Sequence, residues 1–352
     1  MKIIDMHCDT IHKIWKANIA GKNKNLASDD YMLNISKMEN GGYAVQNFAM
    51  FIEAYEDNER IDCYRRFEDL YKEFINQTNA YCDRISIVTN AGEIEENMSE
   101  GRLSALLTVE GGEACRGDIE KLSYLYDKGV RMMTLTWNYI NELGHPNING
   151  MKRNDSDFSP FVPDVENGLT ETGIEFVKAM EDIGMIVDVS HLSDAGFCDV
   201  YNNTKKPFVA SHSNAREVCP FVRNLTDDMI RKLGERGGVT GLNYCRDFLF
   251  TSDEEREIDK QALLDKVATD DDKYLDITCD KIVEHARHIV NVGGMGVLGL
   301  GSDFDGIHNY VGMPQADKME YLAHALHKKG FSDDRIDDIF FNNVMRVYRE
   351  VL

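Results

Sequence analysis

A histidine and an aspartate stand two residues apart, His7 and Asp9, at the end of the apolar run that opens the chain, Lys2-Ile3-Ile4-Asp5-Met6-His7-Cys8-Asp9-Thr10. In a strand, side chains at i and i+2 share a face. An imidazole and a carboxylate would then project together, a donor pair suited to a divalent metal that takes nitrogen and oxygen ligands. One such pair says little alone. Its weight comes from four further apolar runs with related endings. Leu103-Ser104-Ala105-Leu106-Leu107-Thr108-Val109 leads into Glu110-Gly111-Gly112, and Ile186-Val187-Asp188-Val189-Ser190 leads to His191. Pro207-Phe208-Val209-Ala210-Ser211 leads to His212, and Val297-Leu298-Gly299-Leu300-Gly301-Ser302 leads to Asp303-Phe304-Asp305-Gly306.

Each ending has a plainer reading when taken singly. Glu110 is readable as a loop or cap carboxylate, a lone strand-end His as a satisfied core residue, and Asp305-Gly306 as a turn. The turn reading covers Asp305 and leaves Asp303, directly at the run's end, as the better candidate for chemistry. Two successive Ser-His endings argue against coincidence, and a carboxylate at a buried strand end is costly unless paired or metal-bound. His7, His191 and His212 with Asp9, Glu110 and Asp303 are donors enough for two divalent ions. A carboxylate bridge holds such ions about 3.5–4 Å apart and makes a bridging hydroxide available at neutral pH. That hydroxide is a nucleophile for hydrolysis, and a nearby carboxylate then carries its proton to the leaving group.

These groups must be positioned by the elements they terminate. Apolar, β-branched runs alternate with amphipathic segments, which predicts a parallel sheet with helices around it. Strands are predicted at residues 2–7, 43–51, 103–109, 130–136, 185–190, 208–211, 238–243 and 297–302, with a weaker candidate at 85–88. Helices are predicted at 59–78, 169–183, 226–236, 277–292, 317–329 and 332–351. Eight good strands match an α/β fold of the (β/α)8 TIM-like barrel type, with loop insertions over the C-terminal face, where such barrels gather their active-site groups. Residues 138–165, polar and rich in Gly and Pro, are expected to form a long loop over the barrel mouth. Residues 251–273 are expected to be a charged surface insertion and 21–30 a loop. No repeat or linker divides the chain, so residues 1–352 are expected to form one domain.

The net charge of -22 argues against nucleic-acid partners, which select basic patches, and against anionic membranes. No apolar run approaches the roughly 18 residues needed to cross a bilayer. Met1-Lys2 leads straight into the first strand, leaving no room for an export signal, so a cytoplasmic protein is expected. The eight cysteines are scattered without a Cys-x-x-Cys and are expected to be reduced and mostly buried.

The sequence resembles the membrane (renal) dipeptidase family of the amidohydrolase superfamily. The resemblance rests on Asp5-Met6-His7-Cys8-Asp9-Thr10, Val109-Glu110-Gly111-Gly112, Val187-Asp188-Val189-Ser190-His191, Ser211-His212-Ser213-Asn214-Ala215, Arg223-Asn224 and Gly301-Ser302-Asp303-Phe304-Asp305-Gly306, in family order from first strand to last. It implies a zinc-dependent dipeptidase with two Zn2+ per chain. By that pattern His7 and Asp9 hold one zinc, His191 and His212 the other, and Glu110 bridges. Asp303 is the catalytic acidic residue and contacts substrate, and Arg223 receives the C-terminal carboxylate of a small dipeptide. Tolerance of a C-terminal D-residue and a homodimer are further implications.

The chain departs from the pattern at Trp137, where better-known members carry a substrate-binding histidine. Trp offers an indole N–H and an apolar wall in its place. His145, downstream in the same loop, is a candidate replacement, with a solvated loop residue as the plainer reading. The same hydroxide chemistry would also serve a cyclic amide, lactone or β-lactam. Many superfamily members bridge their metals with a carboxylated Lys, and no Lys stands at any predicted strand end, which favours the Glu-bridged dipeptidase branch. A metal-binding protein without catalysis is a third reading, disfavoured by Asp303.

Overall fold

The computed structural model describes residues 1–56, 59–152, 155, 158–265, 272–308, 312 and 314–352. Eight parallel strands close into a barrel: β1 (Ile3–Asp5), β2 (Tyr43–Phe51), β3 (Leu103–Glu110), β4 (Met132–Thr134), β5 (Ile186–Asp188), β6 (Val209–Ala210), β7 (Val239–Leu242) and β8 (Leu298–Leu300). Each pairs with the next in sequence. β1 pairs with β8, which closes the ring, and β2 pairs directly with β3 from Val45↔Ser104 to Phe51↔Glu110. The weaker ninth candidate is also a strand, Ile85–Val88, laid parallel beside the first half of β3. β4 takes the second half of that edge, from Thr108↔Met132 to Glu110↔Thr134.

The predicted strands overreach at their C-terminal ends, and the reason bears on function. Parallel pairing stops at Asp5, Asp188, Ala210 and Leu300. The chemistry-bearing residues beyond sit in short irregular turns. His7 and Asp9 therefore do not align by strand alternation as predicted. Asp9 is already the N-cap of the helix Thr10–Ile19, with φ -106° and ψ 17°, and the turn into that helix brings it beside His7.

Two apolar layers hold the barrel. The larger lies between strands and surrounding helices. The smaller gathers Ile4, Met6, Val45, Leu106, Met132, Ile186, Val209 and Val239 around Val344, Met345, Val347 and Tyr348 of the C-terminal helix Asn343–Val351. Tyr348 donates its hydroxyl hydrogen to Asn47 Oδ1 at 2.8 Å, so the buried phenol keeps a partner. β8 supplies a glycine at this level because a Cβ on Gly299 would lie 2.7 Å from Val344 Cγ2.

Helix starts follow their caps. The segment predicted from residue 59 begins as a helix only at Cys63, because Asp62 accepts from the Arg65 amide and fixes the start there. Residues 59 and 60 instead pair antiparallel with Tyr55 and Glu56. Thr170, Ser193 and Thr226 cap three further helices in the same way. The charged segment after residue 251 is largely the exposed helix Ser252–Asp265. Its expected remainder at 266–271, and positions 153–154 and 156–157 of the long loop, lie outside the described residues. No described helix is long and apolar enough to cross a membrane.

Candidate metal centre and active-site cavity

The C-terminal ends of the strands converge on a cavity of about 390 Å³. Its lining includes Asp9, Glu110, Trp137, Asn138, His191 and Asp303, with Phe51 and Phe248 as apolar walls. Glu110 is the last residue of β3 and is 3% exposed, with its carboxylate at the centre of the cluster. Oε2 faces His7 Nε2 at 3.4 Å, while Oε1 faces His191 Nε2 at 2.9 Å and His212 Nε2 at 3.5 Å. His191 and His212 bring their Nε2 atoms to 3.0 Å from each other. On the opposite side His7 Nε2 stands 3.6 Å from Asp9 Oδ2 and 3.8 Å from Asp303 Oδ1. The sequence-predicted ligands and Asp303 are thus brought together. His7 with Glu110 and His212, and His7 with Asp9 and Asp303, form two buried groups whose donor atoms lie within 4.8 Å of one another.

Backbone and neighbours are shaped for this convergence. His191, Asp303 and Asp305 adopt positive φ of 70°, 63° and 66°. Such left-handed conformations are unfavourable for these side chains and persist where surrounding structure imposes them. Gly306 leaves the space they need, since a Cβ there would fall 2.1 Å from Asp9 Oδ2 and 2.4 Å from Asp303 Oδ1. Asp9 occupies an N-cap position yet makes no side-chain cap. Its carboxylate is left free for the cluster.

Supporting hydrogen bonds orient the imidazoles. His191 Nδ1 pairs with Asn138 Oδ1 at 2.9 Å, and His212 Nδ1 with Ser211 Oγ at 2.7 Å. Ser211 Oγ donates to Asp188 Oδ2 at 2.6 Å, which also accepts from Thr134 Oγ1 at 2.6 Å. Asp188 Oδ1 accepts the amides of Ser190 and Ser211, so one buried carboxylate ties the ends of β4, β5 and β6. Asp5 does the same for β1 and β8, accepting the amides of His7 and Ser302. Asn243, just past β7, donates to Asp303 Oδ2 at 3.0 Å, leaving Oδ1 toward the cluster. Sequence reasoning missed Asn138 and Asn243 as site residues, because a lone Asn after a strand reads as a turn.

The electrostatics suit cations. Burial pushes Asp303 up to about 7 and Asp9 to about 6, with the neighbouring carboxylates adding to both. Burial opposes protonation of His7, but the charge of Glu110 and contact with Asp9 outweigh it and hold His7 well above the usual range. Burial lowers His191 to about 4, with Arg223 adding, and lowers His212 as well, so both imidazoles are neutral, the form that binds metal. The donor set would suit divalent cations: among the described residues buried His7 Nε2 and Asp9 Oδ1 make no hydrogen bond, and the nitrogen–oxygen mixture is one that zinc-class ions accept.

Arg223 lies beside this centre in the loop after β6, 3% exposed. It donates weakly to Ser213 Oγ and the His212 carbonyl, both at 3.3 Å, and its Nε has no partner. Its guanidinium packs over the Phe248 ring, which lines the cavity. Trp137 stands in the cavity wall, edge-on to Phe51 with ring centroids 4.8 Å apart. His145 does not take the place of the missing histidine. Its Nδ1 is 3.0 Å from the Gly168 carbonyl, and it lines a separate, larger cavity of about 600 Å³ within the long loop, which holds none of the ligand cluster. Its backbone runs alongside the segment after His191, where the Ser193 amide donates to the His145 carbonyl at 2.9 Å, and its imidazole is turned to Gly168 instead.

The family described as membrane dipeptidase (peptidase family M19) matches residues 1–352. An uncharacterized protein of Klebsiella pneumoniae is 30% identical over 268 residues, covering 76% of this chain and 89% of its own. An uncharacterized dipeptidase of Schizosaccharomyces pombe is 28% identical over 375 residues, covering 99% of this chain and 80% of its own. Among solved structures, a metallo peptidase from Rhodobacter sphaeroides liganded with a phosphinate mimic of the dipeptide L-Ala-D-Ala is similar in fold. Its TM-score is 0.83 at 22% identity, with 100% of this chain and 99% of that one covered.

Proposed function

The chain belongs to the membrane dipeptidase family, and from that premise we propose that it is a binuclear zinc dipeptidase hydrolysing the peptide bond of small free dipeptides. The observation that carries this reading is the posture of Glu110, one oxygen toward His7 and the other toward His191 and His212. A carboxylate so disposed would be placed to serve two ions at once. His7 and Asp9 would hold one, His191 and His212 the other. A bound divalent pair supplies Lewis acidity and a water acidic enough to act as nucleophile near neutral pH.

The remaining roles belong to the chain itself. Asp303, steadied through Oδ2 by Asn243, presents Oδ1 to take the proton of the attacking water and return it to the leaving amine. Arg223 receives the substrate's C-terminal carboxylate, for which its planar fork is suited. Phe51, Trp137 and Phe248 exclude water and leave room for apolar side chains. Trp137 gives the wall an indole N–H donor in place of the imidazole that the family resemblance leads one to expect, which lowers its capacity to stabilise a developing oxyanion. The ligand of the Rhodobacter sphaeroides structure supports extending the substrate range to dipeptides ending in a D-residue.

A panel of dipeptides, L-L and L-D, assayed with and without chelator tests the reading. Hydrolysis that is abolished by chelator and restored by zinc is expected. Chelator-resistant hydrolysis, or none on any dipeptide, would contradict it.

A further inference from the structure

An ion pair that the chemistry above does not use bridges the two loops carrying His191 and His212. Arg216, four residues after His212, donates from Nη1 to Asp194 Oδ2 at 2.7 Å and from Nη2 to Asp194 Oδ1 at 2.8 Å. Asp194 lies three residues after His191 at the start of the helix Asp194–Asn203. The side chains are 14% and 12% exposed. The rest of the fork is spent on backbone: Nε donates to the Asn224 carbonyl at 2.8 Å, and Nη2 also to the Val222 carbonyl at 3.0 Å. Those two carbonyls flank Arg223. Asn147 reinforces the arrangement, its Nδ2 donating to the Val222 carbonyl at 3.0 Å and to Asp194 Oδ1 at 2.8 Å.

Arg223 needs such help. Among the described residues two 3.3 Å hydrogen bonds and the Phe248 ring are what hold its guanidinium, so where its backbone is fixed bears directly on its direction. A bidentate Arg–carboxylate pair is orientationally specific, and misplacing a substrate-gripping group by about 1 Å costs up to ~10²-fold in rate. We propose that Arg216 and Asp194 are positioning residues, a clamp that fixes the backbone on both sides of Arg223 and so aims its guanidinium at the carboxylate end of the substrate. This rests on the dipeptidase reading and the role given there to Arg223.

The test compares a free dipeptide with its C-terminal amide, in wild type and in Arg216→Ala, Arg216→Lys and Asp194→Asn, with zinc content measured alongside. On the free dipeptide Arg216→Ala is expected to raise KM about 10-fold or more with kcat within about 3-fold, the pattern of a grip made equally in ground and transition states and now loosened. Zinc content stays at the wild-type level, and kcat/KM on the amide equals that of wild type. Asp194→Asn, keeping one acceptor, falls between. Arg216→Lys keeps the charge but cannot span both carbonyls and the carboxylate. It should behave like the alanine variant, and it carries the test if that variant does not fold. Equal losses on both substrates, loss of zinc, or a fall in kcat at constant KM would overturn the clamp while leaving dipeptide hydrolysis intact. Wild-type enzyme that hydrolyses free dipeptide no better than amide would overturn the role of Arg223 and the clamp with it. Wild-type enzyme inert on every dipeptide would overturn the functional reading itself.

Discussion

Asp303 is the residue on which binding and chemistry separate. Asp303→Asn keeps shape and the contact with Asn243 but removes the proton carrier. Turnover is expected to fall about 10²-fold or more, while elemental analysis finds metal content little changed. Near-normal turnover would assign the proton to another group. Glu113 is a second informative carboxylate, outside the ligand set. It is 1% exposed, with Asn141 as a weak opposing neighbour and no hydrogen bond of good geometry to either oxygen among the described residues. Burial pushes it from 4.5 up to about 8. Between those values the folded chain keeps a proton that the unfolded chain releases, so this residue makes stability fall as pH rises through the window. Glu113→Gln should therefore match wild type near pH 5 and be the more stable protein above pH 8, read from urea midpoints. A difference independent of pH would reject the assignment. The side chains that the fold gathers around Glu110 were legible as a cluster because His, Asp and Glu have few reasons to end buried apolar runs. Asn138, Asn243 and Arg216 were not, because amides and surface-type cations after strands have many. His145 misled because sequence proximity to Trp137 says nothing about where an irregular loop turns.

At the scale of elements, the eight strands were readable from apolar runs, yet the geometry that makes the site was not. Alternation implies that His7 and Asp9 converge because they are i and i+2 on a strand. They converge instead because the strand stops at Asp5 and a helix starts at Thr10. The strand ends are knitted by Asp5 and Asp188, carboxylates that sequence reasoning passes over as strand residues because their partners are distant amides. The turn after β8 is the most constrained element, with Asp303 and Asp305 at positive φ and Gly306 packed against Asp9. Gly306→Ala must displace one of the two carboxylates. The expected result is a loss of metal affinity of about 10- to 100-fold, the usual cost of disturbing what supports a ligand, measured by competition with a chelator. Unchanged affinity would show that the turn relaxes without moving Asp9 or Asp303.

For the whole molecule, the barrel closes through β1–β8 pairing, and the C-terminal helix packs with the inward apolar residues of the strands, so the open end is the one that carries the carboxylates and imidazoles. Strand count and alternation announced the barrel. The packing of the last helix against the inner layer was not announced, because an amphipathic helix reads the same whether it packs outside a barrel or against its inner residues. At the open end, among the described residues, three buried carboxylates and three imidazoles gather, a donor set that would suit divalent cations. In the proposed reading two ions, shared by Glu110, would make this chain a dipeptidase. That reading is tested most directly by titrating chelator-stripped protein with zinc while following hydrolysis of a free dipeptide. Activity is expected to climb to a plateau at two equivalents per chain. A plateau at one equivalent, or hydrolysis already complete before zinc is added, would contradict it.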